Sequence, residues 1–208
     1  MSTLFQYEDQ DALGTVRSVD TATVIVQVPT PEKLRRLQVN RLTVLQSSKP
    51  GQHLIGIIQK ISRTSIDKEL TGDEDEDETP VNELNLVRVS LIGTHMDRRG
   101  TESNIFVRTL ETVPEIDAKC FALEGATLTS FMEIIASLGE GEAQRLSLGT
   151  YTLDDTARAY LNGNKFFQRH AVIVGGTGSG KSWTTAKILE QVSQLPNANA
   201  ILFDLHGE

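Results

Sequence analysis

The sequence predicts an α+β protein in two parts: a small N-terminal β-barrel, then the start of a phosphate-loop α/β domain. Three observations carry that expectation. The first 112 of the 208 residues hold short apolar runs of period two, separated by turn signals. From Val113 onward the apolar spacing becomes helical. Near the end, Gly175-Gly176-Thr177-Gly178-Ser179-Gly180-Lys181-Ser182 fits G-x-x-x-x-G-K-[ST], between an apolar β-type run and a helical segment.

The barrel strands are read in order. Leu13 to Val19 and Thr23 to Val28 flank a turn at Asp20-Thr21, with Val24, Val26 and Val28 alternating. Pro31 to Leu37 is a short helix, with Thr30 as N-cap and Pro31 in its first position. Leu42 to Leu45, Leu54 to Ile61, Leu84 to Ile92 and Ile105 to Leu110 complete the set, and many short strands with few helices indicate a small barrel. Residues 70–80 interrupt it with the run Asp73-Glu74-Asp75-Glu76-Asp77-Glu78. A one-sign block repels itself and stays solvated, so this segment reads as a disordered acidic loop. A Mg²⁺ site or a lure for a basic partner is the other reading.

Residues 113–168 read as a helical connector. Leu128, Phe131, Ile135 and Leu138 recur at helical spacing in Thr127 to Leu138, and Gly139 stops that helix. Asp154 to Leu161 reads as a second helix, N-capped by Asp154 and ended by Asn162-Gly163. Residues 169–208 then form a phosphate-binding core cut short: strand Ala171 to Val174, the loop, helix Trp183 to Leu195, and strand Ala200 to Phe203.

The loop's residue types follow from its chemistry. Successive backbone N–H groups curl around a phosphate, and the helix N-terminus adds positive potential. Glycines allow close approach and positive φ. Gly175, Gly176, Thr177, Gly178, Ser179, Gly180, Lys181, Ser182 and Trp183 are therefore the candidate nucleotide-binding residues. Lys181 would reach the β- and γ-phosphates, and Ser182 would ligate Mg²⁺. Asp204, at the end of an apolar run, is a candidate second Mg²⁺ ligand. It lies 23 residues after Lys181 with one helix between, which suits an accessory role better than that of the principal acid. Glu208 either polarises water or contacts Mg²⁺, or is a helix N-terminal acid. His206 reads as structural.

Composition bounds the rest. The net charge is −8, and removing the acidic run leaves the remainder at −2. No strong basic field advertises nucleic acid. Clusters at Lys33, Arg35, Arg36 and Arg41, and at Arg98-Arg99, read as solvated surface. One cysteine, Cys120, excludes an internal disulfide and reads as a buried thiol. There is no signal peptide and no apolar run long enough for a span, so the expectation is a soluble, cytoplasmic protein without membrane contact. Asn164-Lys165-Phe166-Phe167 lacks the Asp of N-K-x-D, against a GTPase, and a barrel has no obvious use in a nucleotide kinase. Phe5, Tyr7 and Phe106 are too few aromatics for base stacking by the barrel.

Gly-Gly-Thr-Gly-Ser-Gly-Lys-Ser, preceded by Arg169-His170 and an apolar strand and followed by Asp204-Leu205-His206-Gly207-Glu208, resembles the HerA branch of the HerA/FtsK ATPases. Leu13 to Val19, Gly56 to Ile61 and Leu148-Gly149-Thr150-Tyr151 resemble that family's HAS barrel and its lead-in to a RecA-like motor. The resemblance implies a homo-oligomeric, hexameric ring that uses ATP and Mg²⁺ to translocate double-stranded DNA through its pore. It also implies a nuclease or sirtuin-like effector as partner, with a bacterial anti-phage defence role. Its catalytic residues would include Lys181 and, at the D-x-HGE stretch, Glu208. The family's principal acids, sensor and arginine finger have no counterpart in these 208 residues. The expectation is thus an N-terminal fragment of an active ATPase, unable to hydrolyse ATP itself. A short protein completed by a partner chain is the competing reading. A non-catalytic ring-assembly and partner-docking module is the alternative function.

Overall fold

The computed structural model describes residues 4–66, 82–137, 145–195 and 198–204. Two compact units divide the chain, Met1–Leu123 and Glu124–Glu208.

The first unit is a barrel. Strands β1 (Gly14–Asp20), β2 (Thr23–Gln27), β3 (Leu42–Gln46), β4 (Gln52–Ile66), β5 (Asn82–Arg99), β6 (Glu102–Val107) and β7 (Lys119–Ala122) form one antiparallel sheet. Its order is β2-β1-β7-β3-β4-β5-β6, and β2 also pairs with β5, so six strands close on themselves. β6 extends from the far half of β5. Closure pairs the backbone groups that an open edge would expose. The alternating valines fix the register: Val16 faces Val26, and Val24 and Val26 face Val89 and Val87. These side chains join Leu45, Leu54, Ile58 and Leu91 in the buried core. A one-residue slip would turn that set outward.

Two register shifts on β4, beside Gly56 and between Ile58 and Lys60, let one long strand serve both β3 and β5. At Gly56 a Cβ would overlap Val89 Cγ1, so the close approach there requires glycine. The short helix α1 (Pro31–Arg35) has the expected cap, with Thr30 Oγ1 accepting from the Lys33 N–H at 3.4 Å. Its Leu34 is buried in the core cluster.

The barrel takes one strand from the segment read as connector. β7 pairs with both β1 and β3, and the first unit runs to Leu123 rather than ending at 112. The run Cys120-Phe121-Ala122-Leu123 is too short to show a period, but it fills the gap that would otherwise separate β1 from β3. Cys120 is buried there, and burial pushes its thiol up to about 12. The acidic run 70–80 lies outside the described residues.

The second unit packs helix α2 (Gly125–Ser137) on a hairpin of β8 (Arg145–Tyr151) and β9 (Asp154–Asn162). Helices α3 (Gly163–Phe167) and α4 (Lys181–Val192) follow. Phe131, Leu146 and Ala157 are buried in it. The helix expected over Asp154 to Leu161 is a strand. Asp154 does act as a capping acid, but locally: Oδ1 accepts from the Thr156 N–H and hydroxyl, and Oδ2 accepts from the Gly125 N–H at 2.6 Å. This is an Asx-type turn, which uses the same side-chain chemistry as an N-cap. Pairing with β8 then overrides the helix propensity of the two alanines. Asn162 caps α3 through the Lys165 N–H and donates to the Ala136 carbonyl at 2.7 Å.

The strands expected at Ala171 to Val174 and Ala200 to Phe203 are a second correction. Both segments lack ladder pairing in the structure, and Val172, Val174, Ile201 and Phe203 are more than 80 % exposed. A Val- and Ile-rich run becomes a parallel strand only where neighbours supply hydrogen bonds and cover both faces. Among the described residues none does so. No described helix is long and apolar enough to cross a membrane.

Candidate functional site

The glycine-rich loop occupies Gly175 to Ser182 and leads directly into α4. Its bends rest on two glycines. Gly178 has φ 77°, and Gly180, the N-cap of α4, has φ 89° and ψ 18°. Both lie in the left-handed region that side-chain-bearing residues rarely adopt. A Cβ at Gly176, Gly178 or Gly180 would meet nothing within 4 Å, so the loop's inner face is open. At Gly175 a Cβ would overlap Ser179 Oγ, which closes the base of the turn. The Ser179 N–H donates to the Gly176 carbonyl at 3.2 Å.

Helix α4 fixes the direction of the amides that follow. Its first intrahelical donor is the Thr184 N–H, to the Gly180 carbonyl at 2.8 Å. The amides before Thr184 have no acceptor within the helix, and with the helix dipole they present positive potential to an anion. Lys181 Nζ donates to the Gly176 carbonyl at 2.8 Å, so its ammonium already arches over the loop. Trp183 is 78 % exposed and points away from the buried core of this unit.

Ser182 and Asp204 line one cavity of about 260 Å³, together with Thr185, Ala186, Leu189, Leu202 and Phe203. The structure thus brings together the two residues assigned to Mg²⁺ from the sequence, although the segment carrying Asp204 is not a strand. Asp204 is the one carboxylate among the described residues lining that cavity. Thr185 was not among the expected residues. Its spacing of three from Ser182 on α4, which puts both on one helix face, is the signal that marks it. Glu208 and His206 lie outside the described residues.

A larger cavity of about 510 Å³ lies behind α4, between α3 and residues 198–201. It is lined by Asn164, Phe167 and Gln168 on one side and Leu189 and Val192 on the other. No motif in the sequence pointed to it.

The open glycine face and the αL bends suit a bound polyphosphate, and a serine hydroxyl with a carboxylate suits Mg²⁺, which prefers hard oxygen ligands. Residues 146–208 match the family model described as Helicase HerA, central domain. A probable helicase of Methanocaldococcus jannaschii is 36% identical over 63 residues, covering 30% of this chain and 12% of that protein. A probable DNA double-strand break repair helicase HerA of the same organism aligns with the same identity and coverage. The aligned region therefore spans about an eighth of either relative. These matches support a HerA-like assignment for the C-terminal segment.

Proposed function

We propose that this chain belongs to an ATP-dependent DNA translocase or helicase of the HerA type. The observation that carries the proposal is the glycine loop opening onto α4, with Ser182 and Asp204 on one cavity. In this reading the loop amides and Lys181 hold the β- and γ-phosphates of ATP. Ser182 ligates Mg²⁺ directly, and Asp204 holds it directly or through water. Bound Mg²⁺ would neutralise charge developing on the phosphoryl oxygens. Lys181 leaves the Gly176 carbonyl for the phosphates, exchanging a neutral acceptor for a charged one, which forms the stronger hydrogen bond. Glu208 would polarise water or contact Mg²⁺.

The 208-residue chain is proposed to bind Mg-ATP through this loop. The complete protein is proposed to act as a hexameric ring around double-stranded DNA. The barrel is its assembly surface and the docking site for a nuclease or sirtuin-like effector, in anti-phage defence. The test has two arms. In the complete natural protein, double-stranded DNA should stimulate ATP hydrolysis, and Lys181→Ala should abolish it. Native mass spectrometry should show six copies per assembly. Hydrolysis that ignores DNA, or that survives Lys181→Ala, would contradict the motor reading. A monomer at working concentration would contradict the ring.

A further inference from the structure

The barrel contains a cluster that the nucleotide reading does not use. His53 on β4 and His95 on β5 are direct cross-strand partners, so their side chains emerge on the same face of the sheet. Asp97 lies two residues beyond His95 and shares that face by the strand's period of two. The result is one donor atom from each of three residues, all within 4.8 Å of one another. Asp97 Oδ1 lies 3.8 Å from His95 Nδ1 and 3.9 Å from His53 Nδ1.

These separations are too long for hydrogen bonds. The cluster is also largely shielded from solvent. The His95 side chain has no solvent exposure, and His53 and Asp97 are about one-fifth exposed. Phe5 packs edge-on against both imidazoles, with centroids 5.1 Å from His53 and 4.8 Å from His95. His95 Nδ1 and Nε2, His53 Nδ1 and Asp97 Oδ1 are all buried without a hydrogen-bond partner. Buried polar atoms in native proteins are almost always satisfied, so one nitrogen of each imidazole and Asp97 Oδ1, which lie close together, call for a common partner, while the second His95 nitrogen points elsewhere. A cation can accept lone pairs from two imidazoles and a carboxylate together, which a second carboxylate cannot.

We propose that His53, His95 and Asp97 bind one divalent transition-metal ion, with zinc the best fit, where the start of β4 meets the end of β5. Two imidazole nitrogens exclude Mg²⁺ and Ca²⁺ as the preferred ion and suit zinc. Zinc bonds to nitrogen and oxygen are about 2.0–2.2 Å, and tetrahedral geometry then places donors roughly 3.4 Å apart. The Asp97 separations of 3.8 and 3.9 Å need only a small contraction, and the full donor set, spread over up to 4.8 Å, needs a larger one. Metal ligation requires neutral imidazole. A neutral imidazole keeps one N–H and offers one lone pair, so each ring supplies a single donor nitrogen. The ion would tie β4 to β5 beneath Phe5, and its fourth position opens on the partly exposed side of His53 and Asp97.

The test uses the tag-free full chain, stripped with chelator and dialysed against zinc. Elemental analysis should give one zinc per chain, with a rise in the thermal midpoint that the chelator reverses. His53→Gln and Asp97→Asn should each weaken zinc uptake about tenfold or more, since even outer-shell changes cost that much. Both should melt like the chelated wild type. Zinc uptake that is absent, or unchanged in both variants, would overturn the proposal. If the variants do not fold, X-ray absorption on the zinc-loaded wild type decides. A first shell with two imidazoles and a carboxylate oxygen supports the site, and any other shell overturns it.

Discussion

Gly180→Ala isolates the backbone's contribution to the phosphate loop. Gly180 sits at φ 89°, ψ 18°, and a Cβ there would touch nothing within 4 Å. The substitution therefore adds no clash, only the cost of holding an alanine in the left-handed region, about 1–2 kcal/mol. If nucleotide binds the loop in this conformation, the binding-competent state becomes rarer by that amount and affinity falls with it. At 1.4 kcal/mol per tenfold, Mg-ATP should bind roughly 5- to 30-fold more weakly. Gly100 provides the control, because it has φ 63° at the β5–β6 turn and equally open surroundings. Gly100→Ala should lower the barrel's thermal midpoint by a few degrees and leave nucleotide affinity alone. Titration of a fluorescent ATP analogue, with melting curves of each variant, reads both quantities. Affinity within twofold of wild type for Gly180→Ala would refute the claim that the loop binds phosphate in the observed geometry.

Gly93→Ala should destabilise the barrel more than Gly100→Ala, because a Cβ would overlap the Val107 carbonyl oxygen and sit 2.6 Å from Phe106 Cζ. Overpacking of this kind costs about 1–3 kcal/mol, and calorimetry should show the drop. Phe131→Ala removes a fully buried ring from the second unit. About 3–5 kcal/mol of local stability should go with it, seen as faster hydrogen exchange in α2 and β9 with the barrel strands unaffected. Cys120 should resist a thiol reagent at neutral pH until the protein is denatured, since it is buried and its thiol is pushed up to about 12. Rapid labelling of the native chain would contradict the placement of β7 inside the barrel.

The sequence disclosed best what is local. The alternating Val24, Val26 and Val28, the Thr30 cap and the glycine loop each depend on a few consecutive residues, and each appears as expected. What depends on distant partners was hidden. β7 becomes a strand because β1 and β3 flank it, and its four residues show no period of their own. Asp154 makes the side-chain bonds of an N-cap, yet the chain after it is held extended by β8. Ala171 to Val174 and Ala200 to Phe203 have strand composition without a ladder, because composition supplies a preference and pairing needs a neighbour. The same logic applies to the sites. The glycine-rich loop is contiguous, so its bends could be read from a few consecutive residues. His53 lies far from His95-Met96-Asp97 in sequence, and only the β4–β5 register joins them. The His-x-Asp spacing within a strand was the available clue.

The central claim is that Gly175 to Ser182 binds a nucleotide through its phosphates, and calorimetric titration tests it most directly. Mg-ATP should bind the wild-type chain with one site, binding should vanish in Lys181→Ala, and removal of Mg²⁺ should weaken it. Heat of binding that is absent in the wild type, or unchanged in Lys181→Ala, would contradict the account.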